Sequence, residues 1–422
     1  MSRKLIAFIV VLTLLSFSIR LFRITEPNHY YFDEVYHVVT ARAYAQNNPA
    51  AYDPFSPPPE EDTAFDWLHP PLAKLIQAGS IKIIGDNPLG WRLPSVIFGT
   101  AIIPVTFILA LLLFGPLVAI FSSIIVASEN LTFVMSRITM NDVFLTFFVL
   151  CSFIFMILYT QKRSLRNLLL TATFLGLALT SKWPGLYAIA AIFVFLVFYE
   201  IKYHNFSPKL FLIPIIPLVM YLGAYGQYFI QGYSINEFIG LHKQIWWYQN
   251  RHDLEHSYGT TPLFCVPKGL LSSKQLCPWA LNIRGVYFSY EQYGNKAGYI
   301  YALGNPFIFW FGVIAVSYMI GKFIQLKSNK VFLILLGYFI FWLPWIFTPR
   351  LLFLYHYLPA IPFMAIALGY EFRDIYHSRF KLIVFLFLLL FIAVFFYFYP
   401  ISSGWPIKIE SINRFMWLGT WR

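Results

Sequence analysis

Charged residues are scarce in this chain, and acidic residues are the scarcest of them. Only 19 of the 422 residues are Asp or Glu, and the four charged types together make up 12%. An ordinary soluble domain carries about 25%. Hydrophobic residues reach 59% and aromatic residues 20%. This composition excludes an ordinary soluble domain and indicates an all-α polytopic membrane protein.

Several motifs are also missing, and their absence excludes functions. The chain has no Walker motif, no glycine-rich dinucleotide fingerprint and no nucleophile elbow. If the protein transfers a chemical group, a nucleotide-linked donor of that group is therefore not expected, and a lipid-linked donor is left. The net charge of +12 would suit a nucleic-acid partner, but most basic residues lie in short loops between apolar runs. There they serve as orientation signals and headgroup contacts, so membrane lipids are predicted partners and nucleic acid is not.

Cysteine is rare, with three residues in the whole chain. Cys151 lies within an apolar run and is interpreted as a packing residue. Cys265 and Cys277 share one hydrophilic loop and would form a disulfide in an oxidising compartment. The sequence leaves this bond open, because spacing alone does not give the distance between two side chains.

Eleven apolar runs are predicted to cross the membrane. They cover residues 4–22, 92–114, 116–134, 141–160, 167–181, 184–200, 210–229, 304–321, 331–348, 351–370 and 381–399. Four short links between them are rich in Lys and Arg, as is the start of the chain. By the positive-inside rule, these links and the N-terminus face the cytoplasm, and the first run is expected to remain as an anchor.

An odd number of spans places the C-terminus on the outer side, together with two long loops at residues 23–91 and 230–303. Long loops on one side of a membrane protein are where function concentrates. The predicted organisation is an N-terminal transmembrane catalytic module at 1–229, the second outer loop at 230–303, and a C-terminal four-helix transmembrane module at 304–422.

An acidic pair, Asp33 and Glu34, lies in the first outer loop about ten residues beyond the first span. Tyr, Phe and Val residues surround the pair, and partial desolvation there would raise the proton affinity of a carboxylate and suit it to act as a base. The alternative is that Asp33 only caps a helix that continues through Val35, Val38 and Val39. These residues alone do not decide between base and cap.

A second group in the same loop is residues 66–74 (DWLHPPLAK). Pro71 suits the first turn of a helix, and apolar residues then recur at helical spacing, which predicts a helix in the membrane interface. This helix is either a structural brace or the roof of a cavity that brings His69 and Lys74 toward Asp33.

Three cationic residues recur at the outer ends of predicted spans: Arg137, with Asp142 close by in sequence, Lys182 and Arg350. Each one alone is explained by a side chain that reaches lipid headgroups. Together they run against the positive-inside trend and indicate an anionic ligand such as a lipid phosphate.

The second outer loop is polar and aromatic, which is typical of interfacial belts and of surfaces that bind sugars or peptides. Within it, His252 and His256 have the i, i+4 spacing of metal ligands. No third ligand is identifiable, and Glu does not lie between them as in the zincin pattern. A divalent metal is therefore open but not indicated.

Seven motifs together resemble those of the protein O-mannosyltransferases, glycosyltransferases of the GT-C fold class that use a polyprenyl-phosphate sugar. The motifs are residues 31–35 (YFDEV), 69–74 (HPPLAK), 90–94 (GWRLP), Ser136-Arg137 with Asp142, 181–183 (SKW), 303–306 (LGNP) and 353–360 (FLYHYLPA). Each motif is weak alone, but they run in family order from about residue 20 to the C-terminus, so the resemblance covers nearly the whole chain.

The resemblance implies roles for particular residues. Asp33 matches the base that takes the proton of the acceptor hydroxyl, and Glu34 matches its partner, which orients acceptor or donor. Arg137 matches a basic residue that would bind the donor phosphate. From their charge and predicted topology, Lys182 and Arg350 join Arg137 as phosphate candidates. His69, Lys74, Asp142 and His356 are supporting pocket residues, and no cofactor is required because basic side chains can neutralise the phosphate.

The resemblance also has limits. Eukaryotic members carry a β-trefoil domain with MIR repeats in the second outer loop, which here is only about 75 residues long and has no such repeat. The chain is therefore expected to be a prokaryotic-type enzyme of the plasma membrane, with an outward-facing active site. A His-Ser-Tyr and a Pro-Trp resemble the family's loop motif at altered spacing, which leaves acceptor preference open.

The function expected from this resemblance is inverting transfer of mannose, or a similar hexose, from polyprenyl phosphate to Ser or Thr of an acceptor protein. Two alternatives stay open. A sister GT-C enzyme would modify a lipid or polysaccharide instead of protein. A lipid-linked sugar transporter would use the same charged cavity without chemistry, and would more often show inverted repeats, which the sequence lacks.

Overall fold

The computed structural model describes residues 1–204, 206–251, 253, 259–260 and 278–422. These residues form sixteen α-helices. Their bounds are α1 Arg3–Leu21, α2 Glu34–Ala45, α3 Leu72–Ile84, α4 Pro88–Phe114, α5 Pro116–Ala127, α6 Asn130–Met135, α7 Asp142–Lys162, α8 Leu165–Ser181, α9 Gly185–Lys202, α10 Leu212–Ala224, α11 Gly226–Ile230, α12 Ile235–Gln249, α13 Pro306–Leu326, α14 Asn329–Ile340, α15 Ile361–Tyr376 and α16 Lys381–Ser403.

Short 3-10 helices and a small sheet complete the described secondary structure. The 3-10 helices are Pro49–Tyr52, Pro208–Phe211, Trp279–Leu281, Leu343–Phe347, Leu354–Ala360, Ile409–Phe415 and Gly419–Trp421. The strands are β1 Val286–Tyr293, β2 Lys296–Ala302 and β3 Ile407–Lys408. Cys265, Cys277, His252 and His256, the residues of the predicted disulfide and of the open metal site, lie outside the described residues.

The helices confirm the prediction of a multi-pass membrane protein. Within the described ranges, seven helical segments are long and apolar enough to cross a membrane, and three shorter apolar helices accompany them. Each of the eleven predicted spans overlaps a helix. Some spans are interrupted: the predicted span 210–229 contains a 3-10 turn and then α10 and α11, and the predicted span 351–370 begins as a 3-10 helix around Pro359.

The described chain divides into two compact units by its internal contacts. The first unit contains residues 1–32, 99–138 and 251–422, and the second contains residues 33–98 and 139–250. Helix α4 contributes residues to both. The first unit holds α1, α5, α6, α13 to α16 and the sheet, whereas the second holds α2, α3 and α7 to α12.

Helix α15 forms the core of the first unit and packs against α5 and α13. Glycines allow this close approach. A Cβ added at Gly369 would lie 2.4 Å from Ser122 Oγ and 3.1 Å from the Ser122 nitrogen, and one at Gly312 would lie 2.4 Å from Met364 Sδ. Helices inside a membrane often pack through small residues in this way, because lipid provides no hydrophobic drive for their association.

We expect Gly369→Ala to destabilise the protein by about 1–3 kcal/mol, because the new methyl group meets backbone as well as side-chain atoms of α5 and forces the helices apart. The measurement is the apparent melting temperature of the purified protein in detergent. Gly321→Ala on α13 is the matched control, since a Cβ there meets nothing within 4 Å. The control should leave the melting temperature unchanged or raise it slightly, and equal losses for both variants would contradict the packing argument.

The three-stranded sheet is a feature that the sequence analysis did not predict. β1 and β2 form an antiparallel hairpin, and β3 pairs with β2. The hairpin closes at Tyr293 and Lys296 through Gly294, whose φ of +61° is one that favours glycine. The signal was present as a run of aromatic and polar residues (VYFSYEQY) before a Gly-Asn pair. β2 packs on α16, where Ala297 and Phe398 belong to one buried cluster.

The second unit is built around α8, which packs against α7 on one side and α10 on another. α2 packs against α3, and both lie in the predicted first outer loop, where the sequence predicts two helices. A buried cluster of aromatic residues lies in the same unit and includes Tyr52, Tyr225 and Tyr228. These contacts hold the polar ends of α2, α3, α7 and α8, where the candidate site is found.

Candidate active site

Asp33 occupies the N-cap position of α2, but its side chain makes no capping hydrogen bond. Within the described part of the chain, only its backbone carbonyl accepts bonds, from the backbone N–H groups of Tyr36 and His37. The predicted helix after Asp33 is therefore confirmed, whereas the alternative in which the side chain serves as a cap is wrong. The side chain is half-buried, and the carboxylate is left available for other chemistry.

The pKa of Asp33 is raised to about 6. Burial is the largest cause, because it disfavours the charged carboxylate, and the nearby carboxylates of Asp66 and Asp142 add to the rise. His37 and Lys182 oppose it. A carboxyl group with this pKa is ionised at neutral pH and still takes up a proton readily, as a general base requires.

Glu34, the other member of the pair, is fully engaged in bonds. Its two oxygens accept from Arg92 Nε at 2.9 Å and from Arg92 Nη2 at 2.8 Å, and Oε1 also accepts from the Thr139 N–H at 3.1 Å. Both charged side chains are almost completely buried. The two bonds from the Arg92 guanidinium tie α2 to α4, and the bond from Thr139 ties α2 to the turn before α7. These contacts indicate that Glu34 is a positioning residue beside Asp33.

Asp66 is the centre of a buried polar cluster. It accepts hydrogen bonds from Lys74 Nζ at 2.7 Å and from His69 Nδ1 at 2.8 Å, and His37 Nδ1 lies 3.0 Å from its Oδ2. Its backbone N–H donates to Thr40 Oγ at 2.7 Å. The cluster joins the loop before α3 to both α2 and α3. The sequence-predicted residues His69 and Lys74 are therefore brought together, with the backbone and side chain of Asp66 between them.

The charges in this cluster follow from its burial. Burial opposes the ionised form of Asp66, but His69, Lys74 and His37 outweigh it and hold the pKa of Asp66 well below its usual range. Burial also lowers the pKa of His69 to about 4, although Asp66 opposes this. At neutral pH, His69 is thus uncharged and donates its Nδ1–H to an ionised Asp66.

Lys182 and Asp142 form a second buried pair in the same unit. Lys182 Nζ donates to Asp142 Oδ1 at 2.7 Å, and the side chains are 8% and 2% exposed. Lys182 follows the last residue of α8, and Asp142 is the first residue of α7. The lysine is thus paired inside the protein and does not extend to a lipid headgroup.

Arg137 lies in the first unit, where it binds backbone carbonyls. One of its terminal nitrogens donates to the Arg20 carbonyl and, at 2.8 Å, to the Phe22 carbonyl, and the other contacts the carbonyls of Arg23 and Ser403 at 3.3 and 3.4 Å. These bonds join the end of α1 to the end of α16. The predicted phosphate-binding role of Arg137 stays a prediction, and its contacts give it a structural role as well.

Arg350 and His356 also lie in the first unit. Arg350 is half-buried in the segment between two 3-10 helices. His356 is buried, with its ring 6.1 Å from that of Trp279 and 4.7 Å from that of Trp345. Its Nδ1 lies 3.2 Å from the backbone nitrogen of Phe353. These aromatic contacts indicate that His356 holds the 3-10 helix in place.

The structure brings six of the nine sequence-predicted site residues together within the second unit and places the other three in the first unit. The six are Asp33, Glu34, His69, Lys74, Asp142 and Lys182, and the three are Arg137, Arg350 and His356. Sequence reasoning gave no role to His37, Asp66 or Arg92, although Asp66 lies in the group 66–74 and Arg92 in the motif 90–94. His37 has a local signal, since it follows Asp33 by four positions on the predicted helix. The pairing of Arg92 with Glu34 spans 58 positions and has none.

No three or more His, Cys, Asp or Glu side chains in the described part of the chain are grouped so as to hold a metal ion. The prediction that no cofactor is required is therefore neither tested nor changed by the described residues.

Comparison with known proteins identifies the family. Residues 10–231 match the family model described as dolichyl-phosphate-mannose-protein mannosyltransferase. Residues 234–421 match a second model, described as the C-terminal four TMM region of protein-O-mannosyltransferase. Together the two matches leave only short segments of the chain uncovered.

Bacterial relatives match over most of their length. The chain is 25% identical over 426 residues to a polyprenol-phosphate-mannose–protein mannosyltransferase of Corynebacterium glutamicum, which covers 84% of this chain and 81% of that protein. A protein of the same name from Mycobacterium tuberculosis is 23% identical with the same coverage.

Solved structures show the same fold at low sequence identity. The Saccharomyces cerevisiae protein O-mannosyltransferase Pmt1–Pmt2 complex bound to the sugar donor matches with a TM-score of 0.76 at 16% identity, over 100% of this chain and 93% of that one. ArnT from Cupriavidus metallidurans in the apo state matches with a TM-score of 0.59 at 13% identity, over 87% and 60%. These likenesses confirm the predicted GT-C fold class. The chain belongs to the dolichyl-phosphate-mannose-protein mannosyltransferase family of glycosyltransferases.

Proposed function

We propose that this protein transfers mannose, or a similar hexose, from polyprenyl phosphate to Ser or Thr hydroxyls of acceptor proteins at the extracytoplasmic face of the plasma membrane. The observation that carries the proposal is Asp33. It is a half-buried carboxylate with a pKa raised to about 6, it makes no capping bond, and it lies on an element held in place by buried ion pairs.

The reaction balances with a single base. Asp33 removes the proton of the acceptor hydroxyl as its oxygen attacks the anomeric carbon of the hexose. The new bond forms between that oxygen and the carbon, and the bond between the carbon and the phosphate oxygen breaks. The polyprenyl phosphate leaves with the electron pair. One displacement with no covalent sugar–enzyme intermediate inverts the anomeric configuration.

Negative charge grows on the phosphate as it leaves, and cations stabilise it. Lys182 is the candidate in the second unit, because it is buried and its charge influences the pKa of Asp33. Its present partner, Asp142, fixes the direction of the ammonium group. Arg137 and Arg350 are the further phosphate candidates, on the basis of their charge and predicted topology.

The orientation of the protein is part of this proposal. The predicted cytoplasmic links fall at turns between long helices, such as α7 to α8 and α13 to α14. Lys and Arg in these short turns support a cytoplasmic location and a cytoplasmic N-terminus. Asp33 and Lys182 belong to segments at the opposite ends of spans and would face outward.

The experiment that tests the proposal supplies purified protein in lipid with radiolabelled polyprenyl phosphate mannose and a Ser/Thr-rich peptide. We expect label on the peptide, released by β-elimination from Ser and Thr. Label in a lipid or polysaccharide fraction of whole membranes, and none on peptide, would replace the protein acceptor with the alternative one. Labelled donor that only changes leaflet would indicate a transporter.

The pH dependence of this reaction should report Asp33. Below pH about 6 the carboxyl is protonated and unable to accept the hydroxyl proton, so kcat/KM should fall about tenfold per pH unit on the acid side and reach a plateau above. The measurement is the initial rate of peptide labelling from pH 4.5 to 8 at low peptide concentration. A midpoint near pH 4, the usual range of an aspartate, would contradict the assignment.

A further inference from the structure

The turn that leads into α7 carries buried polar atoms that have no hydrogen-bond partner among the described residues. They are Thr139 Oγ, both amide atoms of Asn141 and Oδ2 of Asp142. The three side chains are at most 2% exposed. Folded proteins pair at least about nine in ten of their buried polar groups, because an unpaired one is costly. Four unpaired atoms within four consecutive residues therefore point to a ligand that bonds them.

The turn is fixed beside the proposed base. The Thr139 N–H donates at 3.1 Å to Oε1 of Glu34, which is the residue next to Asp33 in sequence. Asp142 Oδ1 accepts from Lys182 Nζ at 2.7 Å. The charge of Asp142 also contributes to the raised pKa of Asp33. Asn141 is the N-cap residue of α7, yet its side chain makes no capping bond. The free polar atoms thus belong to a rigid segment in the same unit as the base.

We propose that Thr139, Asn141 and Asp142 bind the ring hydroxyls of the hexose on the lipid-phosphate donor. This inference rests on the proposed function and adds the subsite that recognises the sugar. The chemistry of the free atoms matches a sugar, whose neighbouring hydroxyls each donate and accept. The threonine hydroxyl does both, the amide supplies donors and an acceptor, and Asp142 Oδ2 accepts only.

Other ligands fit these atoms less well. A polyprenyl tail forms no hydrogen bonds and would leave all four atoms unpaired. A phosphate at these atoms would meet the acceptor Asp142 Oδ2, and like charges repel, whereas the donor that suits a phosphate is Lys182 Nζ, which bonds Oδ1 of the same carboxylate. A peptide acceptor offers backbone donors and acceptors and is the alternative that the experiment must separate from the sugar.

The test compares native protein with Thr139→Val and Asn141→Leu, which keep side-chain size and remove the polar atoms. Each is supplied with polyprenyl phosphate mannose and with donors that lack one ring hydroxyl. We expect kcat/KM for polyprenyl phosphate mannose to fall about tenfold for Thr139→Val and about 10- to 100-fold for Asn141→Leu. With the donor that lacks the matching hydroxyl, native and variant rates should become nearly equal. The same loss on every donor, or a loss that depends on the peptide and not on the donor, would overturn the proposal.

Equilibrium binding of the same donors separates this inference from the proposed function. Labelled mannose donor should be displaced from native protein by unlabelled mannose donor more readily than by deoxy donors, and Asn141→Leu should abolish that preference. If native protein prefers the mannose donor but transfers nothing to any acceptor, the proposed function fails and the sugar subsite stands. If native protein shows no preference among donors, the subsite is wrong.

The melting temperature distinguishes a ligand-binding role of Asn141 from a purely structural one. Asn141→Leu removes unpaired buried atoms, so the melting temperature should not fall. Asn130→Leu is the matched control, since Asn130 is equally buried but its amide donates to the Phe395 carbonyl and to Ser402 Oγ at 3.3 Å. The control should lower the melting temperature. A comparable fall for Asn141→Leu would assign Asn141 to the scaffold instead.

Discussion

Asp33→Asn is expected to reduce transfer about 100- to 10,000-fold, the range that a positioned general base contributes. Asparagine has nearly the same shape but cannot take the hydroxyl proton, so the loss should appear in kcat while donor binding is retained. The measurement is the rate of peptide labelling at saturating donor. Equal rates for native protein and variant would remove Asp33 from the catalytic role.

Two controls separate chemistry from folding in this experiment. Glu61→Gln neutralises an exposed acid of the same loop and should leave the rate unchanged. Stability at pH 7 should not fall in Asp33→Asn. The pKa of Asp33 is about 6 in the folded protein and ordinarily 3.8, so the folded state binds the proton more tightly. The ionised carboxylate therefore lowers stability as pH rises from about 4 to about 6, and this loss is fully present at pH 7.

The largest effect on stability is expected where the buried pair of Glu34 and Arg92 is broken. Arg92→Met leaves the Glu34 carboxylate buried without its partner, which costs about 3–5 kcal/mol. Adding Glu34→Gln removes the unpaired charge and keeps an acceptor for the Thr139 N–H. The double variant should therefore be more stable than Arg92→Met alone. Apparent melting temperatures in detergent provide the comparison.

A partly exposed ion pair serves as the reference for the buried pair. Arg251 and Asp253 are 27% and 67% exposed, and Asp253→Asn should cost under about 1 kcal/mol, as for most surface ion pairs. Glu34→Gln is also measured alone. If the losses of stability in Glu34→Gln and in Arg92→Met simply add in the double variant, the two side chains are not energetically coupled, and the positioning role of Glu34 would be wrong.

The sequence by itself determined the class of the protein and most of its elements. Long apolar runs can be predicted as helices from their own sequence, because every backbone group within lipid must be bonded inside its own helix. The helix after Asp33 and the helix after Pro71 follow from local spacing in the same way. Ordered motifs along the chain were enough to identify the family, which the matches over residues 10–231 and 234–421 confirm.

Only the tertiary structure decided how the two adjacent acids differ. The local sequence gives Asp33 and Glu34 the same chemistry, and only the family resemblance assigned them different roles. In the structure, Arg92 and Thr139 bond Glu34 from positions more than 50 residues away. Bonds over such separations depend on how helices pack, which no local pattern encodes. The raised pKa of Asp33 has the same origin, since it arises from burial and from the carboxylates of Asp66, in the loop before α3, and Asp142, on α7.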